Sequence, residues 1–411
     1  MDTLQLHTTC CIVGGGPAGM MAGFLLARAG IEVVVLEKHW DFLRDFRGDT
    51  VHPSTLEVMH ELGLLEDFLQ RPHQKIERLR GVIGDTTVTI ADFAHLPATC
   101  RYIVLMPQWD FLDFLADNAR QYPHFKLLMD AEATDLLTGD DKVTGVKATT
   151  ADGLVEVHAE LTIGADGRGS RVRDRAGLRV EDFGAPIDVF WLRISRKPDE
   201  EAAALGRIRA GHVFVMLDRG SYWQCAYVIP KGASESVKSR GLEAFRQSIA
   251  RIAPELADRV HELHDWDQVK LLTVKVDRLE QWHRVGLLVI GDAAHAMSPI
   301  GGVGINLAIQ DAVAAANILA DALYEHRVGL EDLAAVQKRR ALPTRMTQSL
   351  QLALQERVIK RVLHANQPLQ LPFTLKLLNR FPILQRIPAR LVGLGFRPEH
   401  VRSPAREPSK Q

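Results

Sequence analysis

Gly14, Gly16 and Gly19 stand in the stretch "CCIVGGGPAGMMAGFLLARAG" at a G-x-G-x-x-G spacing, between an apolar strand-like run and a run of helical character. Each glycine has a physical reason. The first permits a tight turn, the second lets backbone approach a pyrophosphate, and the third lets helix pack on strand. Pro17 and Ala18 open the helix, where proline sacrifices no needed donor, and the helix N-terminus offers free N–H groups and a positive dipole end to phosphate. Glu37, at the end of the next apolar run "IEVVVLE", is placed to accept hydrogen bonds from an adenosine ribose. Together these residues predict a dinucleotide site without deciding between NAD and FAD.

Two later stretches repeat part of this pattern. "LTIGADGRGSRVR" places Asp166 and Gly167 just after a strand, and "VGLLVIGDAAHAMSPIGGVGINLAIQDA", residues 285–312, does the same with Gly291 and Asp292. The second goes on to a glycine cluster, Gly301, Gly302 and Gly304, and then a helix. An aspartate at the carboxyl end of a parallel strand sits in the crevice where open α/β sheets bind ligands. Taken singly, Asp166-Gly167 reads equally well as an ordinary turn. One phosphate cradle needs one such turn, so two predict a ligand long enough to be held at both ends. His295 reads as a hydrogen-bonded structural histidine, because nothing nearby in sequence marks a partner carboxylate.

In their order, "GGGPAG", the "ADG" of Ala165 to Gly167 and the "GDAAH...P.GGVGIN" of Gly291 to Asn306 resemble the fingerprints of class A flavoprotein monooxygenases of the para-hydroxybenzoate hydroxylase family. The resemblance implies non-covalent FAD with its AMP half on the first turn and Asp292 on the ribityl-phosphate portion. It implies that the Gly301–Gly304 segment leaves room beside the isoalloxazine, with Ile305 and Asn306 giving N–H groups to the pyrimidine edge. Arg47 and Gln108 would contact the cofactor, and Pro299 would lie beside the ring. The implied reaction begins when NADH or NADPH reduces FAD. Dioxygen then adds to the flavin C4a, and the hydroperoxide hydroxylates a small aromatic or polyketide-like substrate. No residue is assigned a catalytic role, since the flavin carries the hard step. Two other readings stay open at this point: a flavoprotein reductase without oxygen transfer, and a flavin-holding protein that sequesters a ligand. A halogenase of the same fold would carry a W-x-W-x-I-P element, which "WQCAYVIP" matches only superficially.

Positioning these residues requires a βαβ unit over residues 8–37, a helix that Pro53 starts, a β-rich patch over 77–91 and an amphipathic helix from Gln108. Asp152-Gly153 marks a hairpin within 142–163. After Gly177 the runs "IDVFWLRI", "HVFVMLD" and "YWQCAYVI" predict an antiparallel sheet, a helix over 241–260 follows, "KLLTVKV" adds a strand, and the end of the chain is helical. Alternation sets His212, Phe214 and Met216 on one face of their strand, and Trp223, Cys225 and Tyr227 on one face of theirs. These, Cys225 apart, are the candidate substrate residues, although the pattern does not say which face meets the flavin. The expected fold is α/β: a Rossmann-like FAD-binding domain (1–72, 101–175 and 282–345) interleaved with an antiparallel-sheet substrate domain (73–100 and 176–281), then a helical C-terminal segment (346–411).

Composition sets the outer limits. The 411 residues, 46% apolar and 25% charged, suffice for two domains with sizeable cores. Fifty basic against fifty-one acidic residues give no global field to draw nucleic acid. The four cysteines lack any metal-ligand spacing and read as reduced packing residues, so no metal is expected. The N-terminus lacks a basic n-region and the most apolar stretch is broken by polar residues, which predicts a cytoplasmic protein without a transmembrane segment. In the tail "RFPILQRIPARLVGLGF", Pro382 and Pro388 divide the apolar positions into short pieces. These are expected to cap the substrate domain rather than to touch a membrane.

Overall fold

The computed structural model describes residues 3–43, 50–200 and 206–406. Strand Leu4–Val13 is buried over its last five residues and pairs in parallel with Val33–Leu36 on one side and Gly153–Gly164 on the other. Phe125–Leu128 and Leu287–Val289 extend the sheet outward, also in parallel. Val33–Leu36, Leu287–Val289 and residues 10–13, buried on both faces, are apolar without alternation, whereas Gly153–Gly164 alternates until its buried last residues. Cys10 and Cys11 show the consequence, since the first joins the core under the helices and the second the core on the far face. Burial pushes the Cys11 thiol up to about 12, and all four cysteines are free and buried.

Helices Pro17–Arg28, Gln108–Ala119 and Gly304–Tyr324 cover one face. The other is covered by strands Lys142–Thr150 and Glu132–Gly139, which branch antiparallel from Gly153–Gly164, and by Trp282. The stretch Ile300–Tyr324 is long and apolar enough to cross a membrane, but 83% of its most apolar window is buried inside the protein, which makes it a core helix.

A second sheet of seven strands runs in the order Lys270–Leu272, Ile187–Ser195, Tyr222–Pro230, His212–Asp218, Gly206–Arg209, Arg78–Ile83, Thr86–Asp92. It is antiparallel except where Gly206–Arg209 meets Arg78–Ile83. Helix Leu242–Ile252 packs on its outer face. That helix stops early because Ala253 precedes Pro254 and is held out of helical backbone, at φ −128° and ψ 79°. The "KLLTVKV" strand also shortens to Lys270–Leu272, since the Val274 N–H donates to Asp188 Oδ1 at 3.0 Å instead of to a neighbouring strand.

The C-terminal region begins with helix Leu330–Leu354, which passes into a π-helical turn, Gln355–Ile359. Short helices Phe373–Arg380 and Arg386–Gly393 then lie against the Thr86–Asp92 edge. The chain finally returns to the first domain, where the Ser403 carbonyl accepts from Arg28.

Candidate active site

At the first turn, Gly14 adopts a φ of +106°, and a Cβ there would lie 2.4 Å from the Ala165 carbonyl oxygen. A Cβ on Gly19 would lie 1.9 Å from the Gly14 oxygen. No larger residue fits at either position. Gly16 is the opposite case, with nothing within 4 Å of where its Cβ would be. It is the N-cap of Pro17–Arg28 and makes no side-chain cap, and the first intrahelical bond runs from Met20 N–H to Gly16 O. The Ala18 and Gly19 N–H groups are therefore left over at an uncrowded helix start, which suits an anion. Glu37 reaches the same turn, since its carboxylate accepts from the Gly15 N–H at 2.9 Å and from the His39 N–H at 3.2 Å.

The Gly291–Asp292 turn packs directly on the first glycine turn. Gly291 has a φ of +62°, and its Cβ would lie 2.9 Å from the Ala18 Cβ. Asp292, in the turn after Leu287–Val289, is one-third exposed and accepts from Arg168 Nε at 3.1 Å. Arg168 Nη1 is buried and without a partner among the described residues. An orphaned guanidinium N–H beside a half-open carboxylate fits a ligand that carries both phosphate and hydroxyl groups. Arg168 escaped the sequence reading, although it directly follows the Asp166-Gly167 pair. Asp166 itself organises that loop. Its carboxylate accepts from Ser170 Oγ at 2.5 Å and from Val172 N–H at 3.2 Å, starting helix Arg171–Arg175. Burial raises the Asp166 pKa, opposed by these hydrogen bonds.

The third glycine cluster begins beside Pro299. Gly301 and Gly302 have φ of +79° and +62°, and a Cβ on Gly302 would come within 2.3 Å of Thr50 Oγ1. Helix Gly304–Tyr324 starts here without a side-chain cap, and its first backbone bond is Leu307 N–H to Val303 O. The Gly304, Ile305 and Asn306 N–H groups are thus available, and Gly304 has open space beside it. The Asn306 side chain is fully used. Its oxygen accepts from His52 N–H at 2.9 Å and Thr55 Oγ1 at 2.7 Å, while its amide nitrogen donates to Thr50 O at 3.3 Å. Gln108 is the first residue of its helix and half-buried. Arg47 lies outside the described residues.

Residues far along the chain hold the Pro299 loop. Gln351 accepts from Ser298 N–H at 3.2 Å and donates to Ser298 O and Ile300 O at 3.0 and 2.9 Å, and Gln355 donates to Ser298 Oγ. Beneath the Asp292 turn, His295 Nε2 meets Asp311 at 2.5 Å, and Asp311 also accepts from Gly291 N–H and Arg340 Nε. His295 is thus structural, as expected, and its partner carboxylate sits about two turns into the following helix. Burial works to raise the Asp311 pKa, but the His295 ring and the Arg340 guanidinium outweigh it and hold the pKa low.

The five substrate candidates require correction. His212, Phe214, Met216, Trp223 and Tyr227 point to the outer face of the seven-stranded sheet, away from the glycine cluster. Phe214, Met216, Trp223 and Tyr227 form a core with Phe245 and Ile249 of the covering helix, and His212 Nδ1 meets the Tyr227 hydroxyl at 2.6 Å. The face toward the site carries Val189, Val213, Ala226 and Val228, packed in one cluster with Ile300. Trp191 and Val215 border that cluster. Alternation shows which residues share a face, but it does not show which face the helix covers.

Two glycine turns that meet through Gly291 and Ala18, with a second sheet over the third, define a flavoprotein architecture. The FAD binding domain family model matches residues 7–349, so the chain belongs to this family, that of the class A flavoprotein monooxygenases. It is 32% identical over 402 residues, 97% of this chain and 94% of the relative, to 6-methylpretetramide 4-monooxygenase of Streptomyces rimosus. Its fold is similar to p-nitrophenol 4-monooxygenase of Pseudomonas putida (TM-score 0.74, 20% identity, 95% of this chain and 99% of that one). It is also similar to anhydrotetracycline hydroxylase of Streptomyces rimosus (TM-score 0.72, 22% identity, 94% and 76%). The protein is an FAD-dependent monooxygenase that draws its electrons from NAD(P)H.

Proposed function

We propose that the protein inserts one oxygen atom into an electron-rich ring of a small aromatic or polyketide-like substrate held between the Pro299–Gly304 segment and the inner face of the seven-stranded sheet. The observation that carries this reading is the shared cluster of Ile300 with Val189, Val213, Ala226 and Val228. Bound FAD supplies the electron transfer and the activation of dioxygen. The chain supplies placement. The aliphatic inner face and Trp191 exclude water and suit a flat apolar ring. Gln224, buried on the same face and accepting from Arg219 Nε at 3.3 Å, is placed to orient a polar substituent. The free N–H groups at Gly304, Ile305 and Asn306 would stabilise negative charge at the ring edge, and those at Ala18 and Gly19 would hold pyrophosphate. Asp292 and Arg168 would hold the portion between. In this reading residues 1–72, 101–175 and 282–345 serve the cofactor, 73–100 and 176–281 serve the substrate, and of the C-terminal segment only the stretch with Gln351 and Gln355 holds the site, through the Pro299 loop. The similarity to a polyketide monooxygenase supports the polyketide-like end of the substrate range. The cytoplasm, as the source of reduced nicotinamide, is the compartment that this reading requires.

The test supplies the FAD-loaded protein with NADH or NADPH in air and a panel of phenols, quinolones and tetracyclic polyketide aromatics. At least one compound should accelerate NAD(P)H oxidation and gain one oxygen by mass spectrometry. Oxidation that yields only hydrogen peroxide or a reduced product across the panel would count against oxygen transfer and favour a reductase.

A further inference from the structure

The segment from Phe373 to Arg390 is tied to the protein on one side only. Ala389 sits in a core with Phe93 and Leu96, and a Cβ on Gly393 just beyond would come within 2.8 Å of Leu96. Asn379 bonds the edge strand at Thr87 O and Thr89 N–H, both at 3.3 Å. The expectation that the tail's apolar positions cap the neighbouring sheet is met by these buried residues and not by the others. Phe373 is 77% exposed, Phe381 50%, Ile383 64% and Ile387 61%. Among them Lys376, Arg380, Arg386 and Arg390 are all exposed, and none makes an ion pair among the described residues.

The charge is as concentrated as the apolar surface. Residues 357–398 hold eight Lys and Arg and no Asp or Glu, in a chain whose formal net charge is −1. Scattered apolar surface residues are ordinary, but a cluster of large ones interleaved with unpaired cations marks an interaction surface. The shape narrows the occupant. These side chains project from three short pieces, the helix Phe373–Arg380, the 3-10 turn Pro382–Gln385 and the helix Arg386–Gly393, whose first turn holds Pro388 rather than being divided by it, and a protein partner would need a matching pocket for each. A bilayer deforms around such projections. Its headgroup layer takes the apolar tips while anionic phosphates pair with the cations.

We propose that the Phe373–Arg390 surface docks the enzyme on an anionic lipid bilayer. This is independent of the substrate assignment. The test is co-sedimentation of the full-length, FAD-loaded protein with phosphatidylglycerol-containing vesicles and with pure phosphatidylcholine vesicles at roughly 0.1 M salt. The anionic vesicles should bind at least about tenfold more tightly, with binding that weakens as salt rises. F373S/F381S/I383S and K376Q/R380Q/R386Q/R390Q alter only exposed positions. Each should lose at least about tenfold in vesicle binding while keeping flavin occupancy and turnover with a soluble substrate. Absence of vesicle binding, equal binding to neutral vesicles, or retained binding in both variants would overturn the proposal. So would a dimer in solution that the apolar variant dissolves, which would assign the surface to a second copy of the chain.

Discussion

Asp292 presents one carboxylate oxygen to Arg168, and its other oxygen has no partner among the described residues. If that free oxygen accepts from a ribityl hydroxyl, Asp292→Ala should weaken FAD binding by at least about tenfold, or ~1.4 kcal/mol. Flavin fluorescence titration of the apoprotein measures this, and unchanged affinity would remove Asp292 from the site. His52 supports a prediction of a different kind. Burial lowers its pKa from 6.5 to about 4, partly offset by the hydrogen bond to Val392 O. Between those values the unfolded chain takes up a proton that the folded chain refuses. Stability present above pH 6.5 is therefore lost as pH falls toward 4, by up to about 3 kcal/mol from this residue. His52→Asn keeps a donor near Val392 without the titration, so denaturant midpoints should fall less steeply over that window than in the native protein. Parallel profiles would show that His52 is not the group responsible.

At the scale of elements, the start of helix Gly304–Tyr324 is positioned by Asn306, which joins it to Thr50, His52 and Thr55. Asn306→Ala would leave a backbone N–H and a hydroxyl buried and unpaired, at a cost of about 2–4 kcal/mol in urea unfolding. A loss below ~0.5 kcal/mol would mean that the contacts rearrange freely. The sheet offers a sharper comparison, because its two faces are assigned opposite roles. Ala226→Trp, on the inner face, should abolish hydroxylation while FAD occupancy stays intact. Met216→Leu, in the outer core, should leave turnover within about twofold, since volume-conserving core swaps are well tolerated. Equal effects on turnover would refute the assignment of faces. The strands and the three glycine turns were legible in the sequence because their signals are local: period, spacing and turn residues. Which face the Leu242–Ile252 helix covers was not legible, because that depends on where a connection of many residues returns. The Asp311 partner of His295 and the Gln351 and Gln355 clamps on Ser298 were hidden for a related reason, since contacts between a loop and a helix folded back onto it leave no mark in spacing.

For the whole molecule, the C-terminal region acts as a brace. Glu399 pairs with Arg339 and Arg340, Arg340 with Asp311, and Asp311 with His295 beneath the Asp292 turn. The resemblance to a known family made the cofactor readable from the sequence, while this brace emerged only from the fold. The substrate, by contact with the Pro299–Gly304 segment, is expected to favour the ring position in which reduction occurs. It should accelerate anaerobic flavin reduction by NAD(P)H at least about tenfold in stopped flow, equivalent to roughly 1.4 kcal/mol of barrier. A rate indifferent to a compound that is demonstrably hydroxylated would place the control elsewhere.

Oxygen transfer by FAD held across two glycine turns leaves an isotopic signature in the product. The FAD-loaded enzyme is given limiting NAD(P)H, a substrate identified by the panel and ¹⁸O₂, and the product is weighed. A single ¹⁸O atom is expected in the product for each NAD(P)H consumed in productive turnover. Product that carries oxygen only from water, or NAD(P)H consumed with all the ¹⁸O recovered as hydrogen peroxide, would contradict it.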